Sequence, residues 1–153
     1  MASVFWDAEG ILFIDYLDHG VTITGDYYAQ LIPKLREAIK EKRRGKLRCG
    51  VLFHQDNAPP YKSRVALAAI DAAGFELVDH PPYSLDLAPN DFFLFPKLKK
   101  NIRRNFFSSD DDVMTSVKDW FEDQSPVFFL NGLQRLEHRW MKCIEVDGDY
   151  AEK

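Results

Sequence analysis

Three aspartates stand where carboxylates can converge on one ligand: Asp7 in SVFWDAEG, Asp56 in HQDNAPPYKS and Asp91 in APNDFFLF. Asp7 ends a run of β-branched and aromatic residues, Asp56 follows the continuous apolar run CGVLFH at 49–54, and Asp91 opens a helical pattern. In open α/β sheets ligands gather off the carboxyl ends of strands, so two strand ends and a helix start can bring three carboxylates to one place. Such a group repels itself unless cations are present, and its hard oxygen donors suit Mg²⁺ or Mn²⁺. Two such ions about 3.5 to 4 Å apart support an in-line phosphodiester displacement, activating the attacking oxygen and stabilising the leaving one. Each residue also has a purely structural reading: a hairpin turn at Asp7, an Asx-turn at Asp56-Asn57, and a favourable first-turn charge at Asp91. His54 and His80 flank this region and read as sheet-end and loop residues rather than ligands, because Mg²⁺ prefers oxygen.

The elements that must position these residues follow from periodicity. Residues 3–7, 11–17 and 21–24 read as three short strands in a meander, separated by Glu9-Gly10 and by Asp18-His19-Gly20. Thr24 caps a helix whose apolar positions Tyr28, Leu31, Ile32, Leu35 and Ile39 recur at helical spacing, with a kink or restart expected at Pro33. Residues 49–54 read as a strand covered on both faces, Ser63 to Ala73 as a helix ended by Gly74, and Phe75 to Val78 as a fifth strand parallel to the fourth. Asn90 is expected to cap a helix carrying Phe92, Phe95, Leu98 and Ile102. Ser109 caps another, and Ser125-Pro126 starts a short one that Gly132 ends before a last helix. Strands in a meander, a helix and a crossover predict an α/β, RNase H-like fold, a mixed five-stranded sheet flanked by helices.

Composition bounds the rest. With 153 residues, 46% of them apolar, and neither an internal repeat nor a linker, the chain reads as one domain over 1–153. No apolar run approaches the roughly 20 residues that span a bilayer, so no membrane partner is expected. Cys49 and Cys143 suit a reducing compartment, with a single disulfide left open. The formal charge is -4, but residues 34–48 hold eight basic and two acidic side chains, and residues 97–104 hold five basic and none acidic. An acidic body with two basic stretches suits a metal-dependent nuclease that grips a phosphate backbone. Solvated helix faces are the plainer reading.

VFWDAEG, HQDNAPPYKS and HPPYSLDLAPNDFFLFPKLK, with 34 residues between Asp56 and Asp91, together with the closing WMKCIEVDGDY, resemble the catalytic domain of a mariner-type transposase. The resemblance implies a catalytic and metal-binding triad of Asp7, Asp56 and Asp91 holding two Mg²⁺ or Mn²⁺ ions. It implies cleavage of DNA at transposon ends, joining of the 3′-hydroxyl to a TA target, action as a homodimer, and a nuclear location. In its light Asn57, Tyr83, Ser84, Asn90, Lys97, Lys99 and Lys100 become candidate DNA contacts. The sequence starts at the first catalytic strand, so the family's N-terminal helix-turn-helix region, and with it sequence-specific end binding, is expected to be missing. Tyr61 replaces a His of the family pattern and Leu85 a Pro. Two other readings stand beside the transposase core: a transposase-derived DNA-binding or protein-interaction module without catalysis, and a ribonuclease H-like non-specific nuclease.

Overall fold

Alternation of apolar side chains builds the first pair of strands. β1 (Ala2–Asp7) and β2 (Gly10–Tyr16) are neighbours joined by only two residues, a link that permits an antiparallel hairpin and nothing else. The computed structural model describes residues 2–18, 20–78, 80 and 87–145. These fall into two compact units, one within 1–6 and 11–82, the other within 7–10 and 83–153.

In the first unit, Thr24 starts α1 (Gly25–Lys42), its hydroxyl oxygen accepting the Tyr27 N–H at 3.1 Å. The helix buries the stripe Tyr28, Leu31, Ile32, Leu35 and Ile39. Pro33 sits on the exposed side and does not divide it. A single helical turn, α2 (Lys46–Cys49), leads into β3 (Val51–Phe53). Beyond it lie another single turn, α3 (Pro59–Lys62), and then α4 (Arg64–Ala72), which Ser63 caps by accepting the Ala66 N–H at 3.2 Å. β4 (Phe75–Leu77) then pairs in parallel with β3, Val51 opposite Phe75 and Phe53 opposite Leu77, as the crossover predicts. Phe5 ties the hairpin into this core, its ring centroid 5.9 Å from Phe13 and 6.3 Å from both Tyr28 and Phe53. Gly25 marks the closest approach, since a Cβ there would lie 2.7 Å from that of Ser63.

The second unit is helical. A π-helical turn (Asn90–Leu94) runs into α5 (Phe95–Ile102), followed by α6 (Asp110–Asp123) and α7 (Pro126–Glu145). Ser109 caps α6 by accepting the Asp112 N–H at 3.2 Å, with three aspartates in its first turn as the helix dipole favours. Phe93, Leu94, Leu98, Val117, Phe121, Phe129 and Leu136 are buried, and Phe128 packs edge-on against Trp120 and Phe129.

Several expectations are corrected. Residues 21–24 form no strand: Val21 is half exposed, its N–H closes a turn onto the Asp18 carbonyl at 3.1 Å, and Thr24 is committed to the helix cap. The described residues therefore hold four strands in two two-stranded sheets rather than five in one. The strand at 49–54 shrinks to three residues because Cys49 closes α2 and Gly50 follows with φ +90°, and Leu52 is 70% exposed rather than covered. Asn90 does not cap a helix, since Pro89 before it is already helical at φ -57°, ψ -31°. Gly132 ends nothing and lies buried inside one continuous helix. Both cysteines are free thiols. No helix among the described residues is long and apolar enough to cross a membrane.

The reason for Gly132 is contact: a Cβ there would lie 2.6 Å from two carbons of the Phe93 ring. Alanine gains up to about 1 kcal/mol of helix propensity, but forcing a methyl into a packed aromatic costs about 1 to 3 kcal/mol. Gly132→Ala is expected to lower stability by about 1 kcal/mol or more, read from urea denaturation. Adding Phe93→Leu, which makes room, is expected to soften the loss.

Candidate functional site

Each sequence-predicted aspartate sits where a backbone turn begins. Asp7 is the last residue of β1, half-buried, and its Oδ1 accepts the Glu9 N–H at 2.9 Å. Asp56 follows β3 by three residues, and its Oδ1 accepts the Ala58 N–H at 2.9 Å. These are the Asx-turns of the structural reading. A turn bond of this kind uses one of the roughly four lone-pair sites that a carboxylate offers. Asp91 is exposed in the π-helical turn and donates its own N–H to the Ala88 carbonyl at 2.9 Å. π-helical turns within helices are frequent at functional sites.

Asp7 and Asp91 belong to the second unit and Asp56 to the first, so neither unit alone holds all three. Among the described residues no group of three or more His, Cys, Asp or Glu side chains is gathered to hold a metal ion.

The surroundings of Asp56 are densely bonded. The Tyr28 hydroxyl donates to Gln55 Oε1 at 2.8 Å, Gln55 Nε2 donates to the Tyr61 carbonyl at 3.0 Å, and Asn57 Nδ2 donates to the His80 carbonyl at 2.6 Å. Tyr61 lies against Tyr28 with ring centroids 4.4 Å apart, which accounts for the aromatic at this position. Burial, then Tyr61 and the charge of Asp56, raise the Tyr28 pKa well above its usual value, so the hydroxyl remains a donor. His54 Nε2 lies 3.0 Å from His80 Nδ1.

The π-helical turn is held to α7. The Arg139 guanidinium lies 4.1 Å from the Phe92 ring centroid and that of Arg135 5.6 Å from Phe93, while the Lys97 ammonium lies 5.2 Å from Phe93 and 5.8 Å from Phe128. Lys97 is thus engaged with aromatic rings although, like Lys99 and Lys100, it is exposed. In the other basic stretch, Lys42 Nζ donates to the Leu12 carbonyl at 2.8 Å and Arg36 Nε to the Ala73 carbonyl at 3.3 Å, so part of it serves packing. Asn90 is half-buried within the turn. Tyr83, Ser84 and the Leu85 departure lie outside the described residues. Sequence reasoning passed over Gln55, Arg135 and Arg139. The only advance signals were a Gln beside the Asp56-Asn57 pair and two arginines four apart on one helix.

The fold places the chain among known proteins. The family described as Transposase (partial DDE domain) matches residues 1–49. The Mariner Mos1 transposase of Drosophila mauritiana is 32% identical over 154 residues, covering 99% of this chain and 45% of that protein. A structure of the Mos1 transposase catalytic domain with raltegravir and Mn matches with a TM-score of 0.92 at 30% identity, covering 97% of this chain and 76% of that one. The chain belongs to the mariner transposase family.

Its mixed α/β architecture is accordingly that of the RNase H-like mariner catalytic domain. A mariner Mos1 paired-end complex with Mn also matches, with a TM-score of 0.91 at 31% identity over 97% of this chain and 44% of that one. Human histone-lysine N-methyltransferase SETMAR is 30% identical over 99% of this chain and 22% of that protein. This mariner chain therefore spans less than half the length of either curated relative.

His54 offers a direct test of the electrostatics beside Asp56. Burial first, and the His80 ring second, push its pKa down from 6.5 to about 4, against the opposing pull of Asp56. The folded imidazole binds its proton less readily than the unfolded one. Its contribution to stability is therefore intact above pH 6.5 and falls as pH drops from 6.5 to about 4. Nitrogen-detected NMR is expected to find the His54 ring neutral at about pH 5.5, and the urea midpoint is expected to fall less on acidification in His54→Gln than in the parent.

Proposed function

We propose that this chain is the catalytic core of a mariner-type DNA transposase, a metal-dependent enzyme of DNA strand cleavage and strand transfer whose acidic triad is Asp7, Asp56 and Asp91. The observation that carries this reading is three motif aspartates at a strand end, past a strand end and in a helical first turn, within a chain that matches the Mos1 catalytic domain at a TM-score of 0.92. The donor set fits the cation: three carboxylates offer only hard oxygen, as Mg²⁺ and Mn²⁺ prefer, and the matched Mos1 catalytic domains carry Mn or Mg. Asp7, Asp56 and Asp91 would hold the ions, which would supply activation of a water or 3′-hydroxyl nucleophile and stabilisation of the leaving oxygen.

This chain's own residues orient the reactants. The turns that hold Asp7 and Asp56 aim their carboxylates before any cation arrives, and Arg135, Arg139 and Gly132 hold the π-helical turn bearing Asp91 against α7. Lys99 and Lys100, with Lys97, Asn57, Asn90, Tyr83 and Ser84, contact the DNA backbone near the scissile strand. The substrates are transposon ends and a TA target, the working form is a dimer on paired ends, and the place of action is the nucleus. Residues 1–153 act as one domain.

One observation favours a second reading, a module retained for DNA binding or protein interaction without chemistry. The chain spans 22% of a relative named for lysine methylation, so a segment of this kind also occurs inside a protein named for other chemistry.

Nicking of supercoiled plasmid by the purified chain in Mn²⁺ or Mg²⁺ tests the enzyme reading. Metal-dependent nicking is expected, falling to the metal-free level in Asp7→Ala, Asp56→Ala and Asp91→Ala. Nicking that survives Asp56→Ala overturns the mechanism.

A further inference from the structure

The four residues from Gln55 to Ala58 are all tied down, and Asp56 sits among them. On its C-terminal side the Ala58 N–H donates to Asp56 Oδ1 and the Asn57 amide donates to the His80 carbonyl. On its N-terminal side the Gln55 amide is held at both ends, its oxygen by the Tyr28 hydroxyl at 2.8 Å and its nitrogen by the Tyr61 carbonyl at 3.0 Å. An amide satisfied at both ends has one orientation. It is half-buried, so losing either partner frees that end of the amide to reorient. Tyr28 is 3% exposed and comes from the helix that carries the unit's core, so the brace runs from that core to the residue directly before Asp56.

We infer that Gln55, braced by Tyr28 from α1 and by the Tyr61 backbone from α3, is a positioning residue that fixes the direction of the Asp56 carboxylate toward its cation. The inference rests on the reading of Asp56 as a metal ligand. Residues that orient a ligating side chain typically alter metal affinity by 10-fold to 100-fold when removed, because the ligand must then be ordered at the moment of binding. Tyr28→Phe is the informative change: it keeps the ring that packs on Tyr61 and removes only the hydroxyl donor. Gln55→Leu removes the amide at similar volume.

The test titrates the full 153-residue chain with Mn²⁺ and follows the rise in melting temperature, which reports binding to the folded state without requiring turnover. The Mn²⁺ concentration giving half the maximal rise is expected to increase about tenfold in Tyr28→Phe and in Gln55→Leu. The double variant is expected to be no worse than the more severe single one, because both act through the same brace. A merely structural role would lower the metal-free melting temperature and leave the half-maximal concentration unchanged. That result in both single variants, with the rise abolished in Asp56→Asn, overturns the positioning role and leaves Asp56 as a ligand. A rise that persists in Asp56→Asn, or none in the parent, overturns the ligand reading and the inference with it.

Discussion

The bond from Oδ1 to the N–H two residues on, made alike by Asp7 and Asp56, is the constraint on which the arrangement depends. A carboxylate at a strand end is tethered by one flexible side chain, and ordering it costs conformational entropy that would otherwise fall on the binding step. The turn settles that cost during folding. The bland and the functional readings of these residues are therefore not rivals. In the proposed enzyme, the turn that makes Asp56 structurally ordinary also prepares it to be a ligand.

Asp91 sits on a helical turn instead. It is exposed there, on backbone whose next residues are packed. That backbone is fixed from below: Phe93 and Leu94 are buried, the missing Cβ of Gly132 lets the Phe93 ring approach α7, and Arg135, Arg139 and Lys97 lie over the Phe93 and Phe92 rings. Cations stacked on aromatics are partly desolvated and lose rotamer freedom, so they act as packing as well as charge. A basic residue can thus serve packing as well as charge, as Lys97 does over the Phe93 and Phe128 rings.

What was legible in the sequence is what short range decides. The stripe from Tyr28 to Ile39, the caps Thr24, Ser63 and Ser109, and the parallel pairing of β3 with β4 follow from periodicity, side-chain oxygens and the crossover rule, and the structure has all of them. The aspartates were visible because strand ends and helix starts are themselves local features. The misreadings have one physical source, which is that a residue's role depends on a neighbour distant in sequence. Gly132 resembles a helix terminator until Phe93, 39 positions earlier, is seen against it. Residues 21–24 resemble a strand by composition, but β propensity describes a fit to a half-buried pleated surface, and among the described residues no partner strand receives them.

Tyr61 shows how a departure from a family pattern can be absorbed. A histidine at this position would offer ring nitrogens, whereas the tyrosine offers a larger apolar face, and that face lies on Tyr28. The contact that matters to Gln55 is not made by the side chain at all. It is made by the Tyr61 carbonyl, which any residue would present. The substitution therefore exchanges one packing surface for another while the backbone acceptor is kept, and the brace next to Asp56 depends on the identity of Tyr28 and Gln55 rather than on that of Tyr61. By the same logic the Asn57 amide is anchored by the His80 carbonyl and not by its ring. The ring is left to pair with His54, and the turn that carries Asp56 is held by contacts that tolerate change on their far side.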